Sequence, residues 1–401
     1  MATSSVVETK PSAVMQTYAR SELAFERGEG CYLISTEGRR YLDFVSGIAV
    51  NTLGHAHPAM IEALESQAKK LWHVSNLYTI PESEELAALL CDNSFADRVF
   101  FCNSGAEALE GMIKLARRYH AAAGNPQRNR IIACGGAFHG RTLTTLSAAG
   151  NAKYLEGCGP ASPGFDHVPF GNMNELRAAI TEETAAILVE PVQGEGGINT
   201  PDPGYLRDLR AVCDEFGLLL LLDEVQCGMG RTGRLFAHEW SEIRPDALAT
   251  AKGLGGGFPV GCFMATQEAS GGMGPGSHGS TFGGNPLAMA VGLAVVRQIL
   301  AEGFLSSVAG AGERLKAGLE RLVADYPGLF VESRGYGLMQ GLKCQDELSN
   351  VTLVNTLRDK GLLTVGAGDN VVRILPPLVA GATEIDEALA TLNSAAAELA
   401  S

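Results

Sequence analysis

The chain has 401 residues, 31 Lys and Arg against 45 Asp and Glu, and a formal net charge of −14. So acidic a chain is ill suited to general nucleic-acid binding, which needs basic surface to meet phosphates, and 46% apolar against 19% charged residues excludes disorder. Length predicts two or three domains at about 150 residues each, while 49 glycines, well beyond the usual ~7%, require unusual loop angles or close backbone approaches.

In chain order, Met1 to Gln16 has no apolar signal core and carries Glu8. It reads as a frayed polar tail, placing the protein in a cytoplasm, or in a plastid stroma or mitochondrial matrix if its Ser and Thr are the remnant of a transit peptide. A turn-rich segment follows. Buried strands are predicted at Arg98–Cys102, Arg130–Cys134, Ala185–Val189, Leu218–Leu222 and Ala247–Thr250, because unbroken apolar runs suit strands covered on both faces. Amphipathic helices are predicted at Ala106–Tyr119, Glu175–Thr181 and Gly204–Phe216. This alternation implies an α/β fold with a mostly parallel sheet. The glycine-dense stretch Gly271–Gly284 leads into a long helix near Asn285-Pro286. Its apolar stretch Pro286 to Val296 stops at Arg297, short of the roughly 18 residues a membrane span needs. Beyond residue 300, a helix (Gly303–Tyr326), short strands (Leu338–Lys343, Val371–Leu375) and a last helix (Glu384–Ala400) predict a smaller α+β domain. The expected division is a large domain at 56–298 and a small domain at 299–401, with 1–55 packing against the latter. Nine irregularly spaced cysteines without a C-x-x-C pair read as free thiols in a reducing compartment, and they offer no structural zinc site.

Two glycine motifs invite a nucleotide reading. Gly228-Met-Gly230-Arg-Thr-Gly233 matches G-x-G-x-x-G, but Asp223 to Gln226 separate it from its strand and no helix start follows, so a glycine turn is expected. Gly253 to Gly257 lack a following lysine; theirs, Lys252, comes before them.

Asp223 follows five leucines at a strand's carboxyl end, where ligands bind in open α/β sheets. So desolvated a carboxylate should have a cationic partner. Lys252 ends the next strand, so the pair should face one crevice. Ser104, Gly105 and Ala106 open a helix whose free amides could cup a phosphate. Phe138 offers an aromatic face and Arg141 a guanidinium suited to carboxylates. Each has a blander reading: a strand-end aspartate, a surface lysine, a simple N-cap at Ser104. Together they suggest pyridoxal 5′-phosphate, with a Schiff base on Lys252, an acid on the ring nitrogen and a helix end on the phosphate. His55 and His57 lack a third ligand cluster and read as loop residues. Cys102 and Cys227 have no nearby histidine pattern that would make a nucleophile.

The ordered motifs Asn103-Ser-Gly-Ala-Glu-Ala108, Phe138-His-Gly-Arg-Thr142, Val189-Glu-Pro-Val-Gln-Gly-Glu-Gly197, Asp223-Glu-Val-Gln226, Gly230-Arg-Thr-Gly233, Ala251-Lys-Gly-Leu-Gly-Gly-Gly-Phe-Pro259 and His278-Gly-Ser-Thr-Phe-Gly-Gly-Asn-Pro286 span nearly the whole chain. They resemble the class III aminotransferases of the fold type I pyridoxal-phosphate group, and Leu53-Gly-His-Ala-His-Pro58 and Val371-Val-Arg-Ile-Leu-Pro-Pro377 extend the likeness. The resemblance implies amino transfer from N2-acetylornithine to 2-oxoglutarate, with ornithine, succinylornithine or 4-aminobutyrate as alternative donors. It also implies a homodimer with a shared active site. Lys252 would bind the cofactor and move the proton, Asp223 would hold the ring nitrogen protonated, Gln226 would bond the ring hydroxyl, Phe138 would stack on the ring, and Ser104, Gly105 and Ala106 would cradle the phosphate. Ser280 and Thr281 would reach the neighbouring subunit's site, Thr281 on its phosphate. Arg141 would clamp the acetylornithine carboxylate, Arg373 would take the α-carboxylate of glutamate, and Glu195 would mask Arg373 meanwhile. Leu109 and Phe282 depart from the family's usual Asn and Tyr, removing polar groups near the cofactor edge. Against this stand a nicotinamide dehydrogenase using Gly228–Gly233 and a binding module without catalysis; intact Lys252 and Asp223 argue against the latter.

Overall fold

A computed structural model describes residues 12–401. Residues 1–11, the start of the segment read as a polar tail, lie outside the described residues. The apolar runs become a seven-stranded sheet in the order Arg98–Cys102, Gly261–Ala265, Ala247–Thr250, Leu219–Asp223, Thr184–Val189, Arg130–Cys134, Phe165–Val168. All pairings are parallel except those of Gly261–Ala265, which runs antiparallel to both neighbours. Side chains alternate across the sheet. Leu220, Leu222 and Ile187 enter the apolar cluster on one face, and Leu219, Leu221 and Leu188 the cluster on the other. The helix Gly105–Ala122 covers the second face with Leu109, Met112 and Ala116; Tyr205–Phe216 and Pro286–Ile299 cover the first. The apolar stretch at Pro286 is thus a core helix. Among the described residues no single helix is long and apolar enough to cross a membrane.

Two differences from the predicted elements bear on the site. The fourth predicted strand is shifted by one residue to Leu219–Asp223, because the Leu218 amide closes the preceding helix on the Cys213 carbonyl at 2.9 Å. Asp223 is therefore a ladder residue opposite Ala249, and the sheet itself orients it. The strand Gly261–Ala265 was not predicted, since Gly-Cys-Phe-Met-Ala contains no β-branched residue and follows a glycine loop.

An antiparallel sheet of Phe330–Tyr336, Met339–Cys344, Val371–Ile374 and Val365–Gly366 packs with the helices Phe304–Asp325 and Ala382–Leu399. The strands Phe25–Glu29, Tyr32–Ser35 and Arg40–Asp43 form another sheet, closed by Leu362–Leu363. Cys31, Leu42 and Phe44 share one apolar cluster with Leu319, Phe330 and Leu392. The segment 228–233 is a turn rather than a strand-to-helix junction: Gly230 bonds Leu235, Arg231 accepts from the Leu338 amide, and Gly233 lies against Ala309.

Candidate active site

Four parallel strands and the helix Gly105–Ala122 deliver their carboxyl- or amino-terminal residues to one cavity of about 460 Å³. Lys252, Asp223, Gln226, Phe138, Arg141 and the Ser104–Ala106 turn all line it. Convergence at the carboxyl edge of a parallel sheet follows from topology, because every βα loop opens on that side.

Asp223 is buried. One oxygen accepts from the Val225 amide at 3.0 Å; the other meets His139 Nδ1 at 2.7 Å. His139 is thus the partner expected for this carboxylate, and reading the sequence missed it. Burial opposes charge on His139, yet the hydrogen bond and charge of Asp223, with Glu190 behind, raise its pKa above the ordinary histidine value. Its Nε2 is buried and has no partner among the described residues. Glu190, also missed, directly follows the neighbouring strand Thr184–Val189. It accepts from the amides of Phe138 at 2.9 Å and Gly194 at 3.1 Å, which fixes the backbone bearing the aromatic ring. Burial first, then the charge of Asp223, pushes its carboxyl up to about 7. The only signal for either residue was its place inside a quoted motif.

Lys252 is half-buried and follows the strand Ala247–Thr250. Its φ of 34° is in the left-handed region, a strain tolerated where surrounding structure imposes it. That structure is the glycine turn behind it: a Cβ on Gly255 would sit 1.9 Å from the Phe258 carbonyl. Thr52 Oγ1 donates to the Gly253 carbonyl at 3.0 Å, pinning the turn from the other side. Burial lowers the Lys252 pKa below that of an ordinary lysine; the nearby Glu195 opposes the shift and Arg373 adds to it. Among the described residues its ammonium has no carboxylate within ion-pair distance.

Ser104 caps the helix Gly105–Ala122, its Oγ accepting from the Glu107 amide at 3.3 Å. The first-turn amides of Gly105 and Ala106 have no preceding carbonyls to bond. A Cβ on Gly105 would meet Val225 Cγ1 at 2.8 Å, so only glycine leaves this turn undisturbed. Arg373 is fully buried and grips Glu195 through both oxygens, at 2.5 and 3.0 Å. It also donates to Gln226 Oε1 at 3.2 Å, linking the pair to the cavity wall. Ser280 sits at the rim, its Oγ accepting from Asn103 Nδ2 at 3.3 Å. Thr281 is exposed and does not line the cavity of its own chain. Leu109 is buried in the apolar cluster behind the helix, not at the cavity edge as expected. Phe282 is 60% exposed and packs on His73.

His55 Nε2 bonds Asp43 at 2.8 Å and His57 caps a helix through the Ala59 amide, which accounts for both histidines. Burial pushes the Cys102 thiol up to about 12 and holds Cys227 well above the ordinary thiol value, so neither supplies a thiolate.

The family model for Aminotransferase class-III matches residues 14–396. The acetylornithine aminotransferase of Brucella melitensis biotype 1 is 58% identical over 383 residues, 96% of this chain and 94% of that protein. A crystal structure of ornithine aminotransferase from Toxoplasma gondii, described as having partial occupancy of PLP at its active site, superposes with a TM-score of 0.93 at 31% identity, covering 97% of this chain and 93% of that one. N-acetylornithine aminotransferase from Stenotrophomonas maltophilia K279a gives a TM-score of 0.83 at 36% identity, covering 96% and 98%.

Proposed function

The chain belongs to the class III aminotransferases and is a pyridoxal-phosphate-dependent transaminase of that fold, and we propose that its amino donor is N2-acetyl-L-ornithine and its acceptor 2-oxoglutarate. The products would be N-acetyl-L-glutamate 5-semialdehyde and L-glutamate, as arginine biosynthesis requires. The observation that carries the transaminase reading is one cavity holding a buried carboxylate, free helix amides, and a lysine and an arginine that have no ion-pair partner among the described residues; the donor follows the acetylornithine aminotransferases that the chain resembles. The fit to pyridoxal phosphate rests on the turn at Gly105, which a Cβ would fill, and on the buried Asp223–His139 pair.

When bound, the cofactor supplies an aldehyde to receive the amine and a ring to take up the electron pair left as the substrate carbon loses its proton. Lys252, with its lowered pKa, would hold the cofactor and then carry that proton at Nζ. Asp223, oriented by its 2.7 Å contact with His139 Nδ1, would pair with the ring nitrogen. Phe138 would stack on the ring and Gln226 would bond its hydroxyl, while Ser104, Gly105 and Ala106 would hold the phosphate. Arg141 binds the carboxylate of acetylornithine. Arg373 receives the α-carboxylate of glutamate once Glu195 swings aside.

We further propose a homodimer in which Ser280 and Thr281 reach the neighbouring subunit's cavity. Trp72, Leu77, Tyr78 and Phe282 are exposed around that loop, and Asn76 Nδ2 ties the two segments by donating to the carbonyls of Ser280 and Gly283 at 3.1 and 2.9 Å. The domain division at 1–55 with 299–401, against 56–298, is the one that would let Arg373 and the Lys252 turn move relative to each other. A cytoplasmic setting accords with nine free cysteines.

Purified enzyme should consume acetylornithine in the presence of 2-oxoglutarate and yield glutamate stoichiometrically. A kcat/KM for ornithine or 4-aminobutyrate above that for acetylornithine would overturn the donor assignment.

A further inference from the structure

Arg141 has a setting that its role as a carboxylate clamp does not by itself require. Among the described residues it forms no ion pair and donates no hydrogen bond. What it touches is aromatic. Its guanidinium carbon lies 3.7 Å from the centroid of the Tyr154 ring and 5.5 Å from that of Phe138. The two rings stand at 87° with centroids 6.3 Å apart, forming a corner around the guanidinium. Stacking uses the face of a guanidinium and leaves its in-plane N–H donors free. A carboxylate partner would occupy those donors and compete with substrate.

Phe138 is committed to the cofactor side of the cavity, which it lines, whereas Tyr154 does not line the cavity. Tyr154 is half-buried on the short helix Ala152–Leu155, which is capped by Asn151. The loop after that helix is held to the body where the Ser162 amide donates to Ser147 Oγ at 2.8 Å. Among the described residues the Tyr154 hydroxyl makes no hydrogen bond, so the ring face is what it contributes.

We propose that Tyr154 is a positioning residue for the amino-donor half-reaction: its ring holds the Arg141 guanidinium edge-on to the cavity, ready for a bidentate grip on the donor's carboxylate. This rests on the reading of Arg141 as the clamp for that carboxylate. Without the ring, the exposed arginine side chain would spread over many rotamers, and binding would have to order it again.

The test uses holoenzyme. In Tyr154→Leu the KM for acetylornithine should rise about fivefold with kcat within about twofold of wild type, as expected for lost cation–π contact at a partly exposed site. The KM for 2-oxoglutarate should not move. Tyr154→Phe keeps the ring and should recover the wild-type KM. N-acetylputrescine, which keeps the reacting amine but lacks the carboxylate, should react equally with wild type and Tyr154→Leu. An unchanged acetylornithine KM in Tyr154→Leu, beside a raised one in Arg141→Ala, overturns the positioning role alone. An unchanged KM in Arg141→Ala removes the clamp reading beneath it. Equal losses with N-acetylputrescine, or lost cofactor absorbance in Tyr154→Leu, would show a general structural effect and overturn the proposal.

Discussion

Glu195 and Arg373 form a two-point ion pair whose halves differ in freedom: the arginine side chain is 2% exposed, the glutamate 28%. Arg373 is further held by the Gly366 carbonyl at 3.1 Å and by Gln226, while Glu195 has a path to solvent. Such a pair opens by moving the acid, leaving the cation in place for an incoming carboxylate. Glu195→Gln should therefore raise kcat/KM for the glutamate half-reaction by about tenfold, roughly 1.4 kcal/mol, and lower discrimination in favour of acetylornithine. Single half-reactions followed by cofactor absorbance measure both; an unaltered ratio would mean the pair is static.

Lys252→Ala should yield a protein without the yellow colour of bound cofactor and with kcat reduced at least about a thousandfold, since covalent attachment and proton transfer both use this amine. Because burial lowers the Lys252 pKa, reconstitution of cofactor-free enzyme should gain rate with pH through a midpoint below that of an ordinary lysine. Stopped-flow absorbance would detect a midpoint at the ordinary value, which would contradict this.

The cluster of Glu190, Asp223 and His139 predicts a pH dependence of stability for the cofactor-free protein. Glu190 titrates near 7 when folded and near 4.5 when unfolded, so the folded state binds more protons between these values and stability falls as pH rises through them. The upper bound is about 3 kcal/mol, at 1.36 kcal/mol per unit. His139, also raised, acts in the same direction: its contribution is complete below the unfolded histidine pKa and is lost as pH rises through the folded one. Denaturant midpoints at pH 5.5 and 8 should differ accordingly, and Glu190→Gln should flatten the slope. A slope unaffected by that substitution would exclude Glu190 as its source.

Gly105→Ala places a methyl group 2.8 Å from a stiff Val225 side chain at the first turn of the helix. The turn must shift, and cofactor affinity should weaken about tenfold while the melting temperature changes little. Fluorescence titration of the cofactor-free protein provides the Kd; an unchanged value would show that this turn does not hold the phosphate.

Phe282→Glu places a charge in the exposed apolar surface shared with Trp72 and Leu77. If that surface joins two subunits, sedimentation should show a monomer, and activity should fall with it because Ser280 and Thr281 no longer reach a second cavity. A fully active monomer would refute the shared site.

Much of the strand framework was legible in local sequence. Arg98–Cys102, Arg130–Cys134 and Ala247–Thr250 form where their apolar runs lie, because burial on both faces of a parallel sheet leaves no room for polar residues. Residues at the ends of those runs, Asp223 and Lys252 above all, were visible for the same reason: a charge directly after an apolar run lies at a sheet edge. The strands Phe165–Val168 and Gly261–Ala265 were not visible, since one carries the adjacent polar residues Asp166 and His167 at the sheet's edge and the other is recruited by its neighbours rather than by β-propensity.

The sequence by itself determined which chemical groups stand at the strand ends and in what order. Tertiary structure alone decided which groups meet. Asp223 finds His139 from a strand two places away in the sheet, Glu190 fixes the backbone of Phe138 across a loop, and Tyr154 covers the face of Arg141 from a separate helix. No periodicity encodes such pairings, because each depends on sheet order and on the direction in which a loop returns. The glycine excess belongs to this second level: at Gly105 and Gly255 the absent side chain matters only because Val225 and the Phe258 carbonyl are folded against those positions.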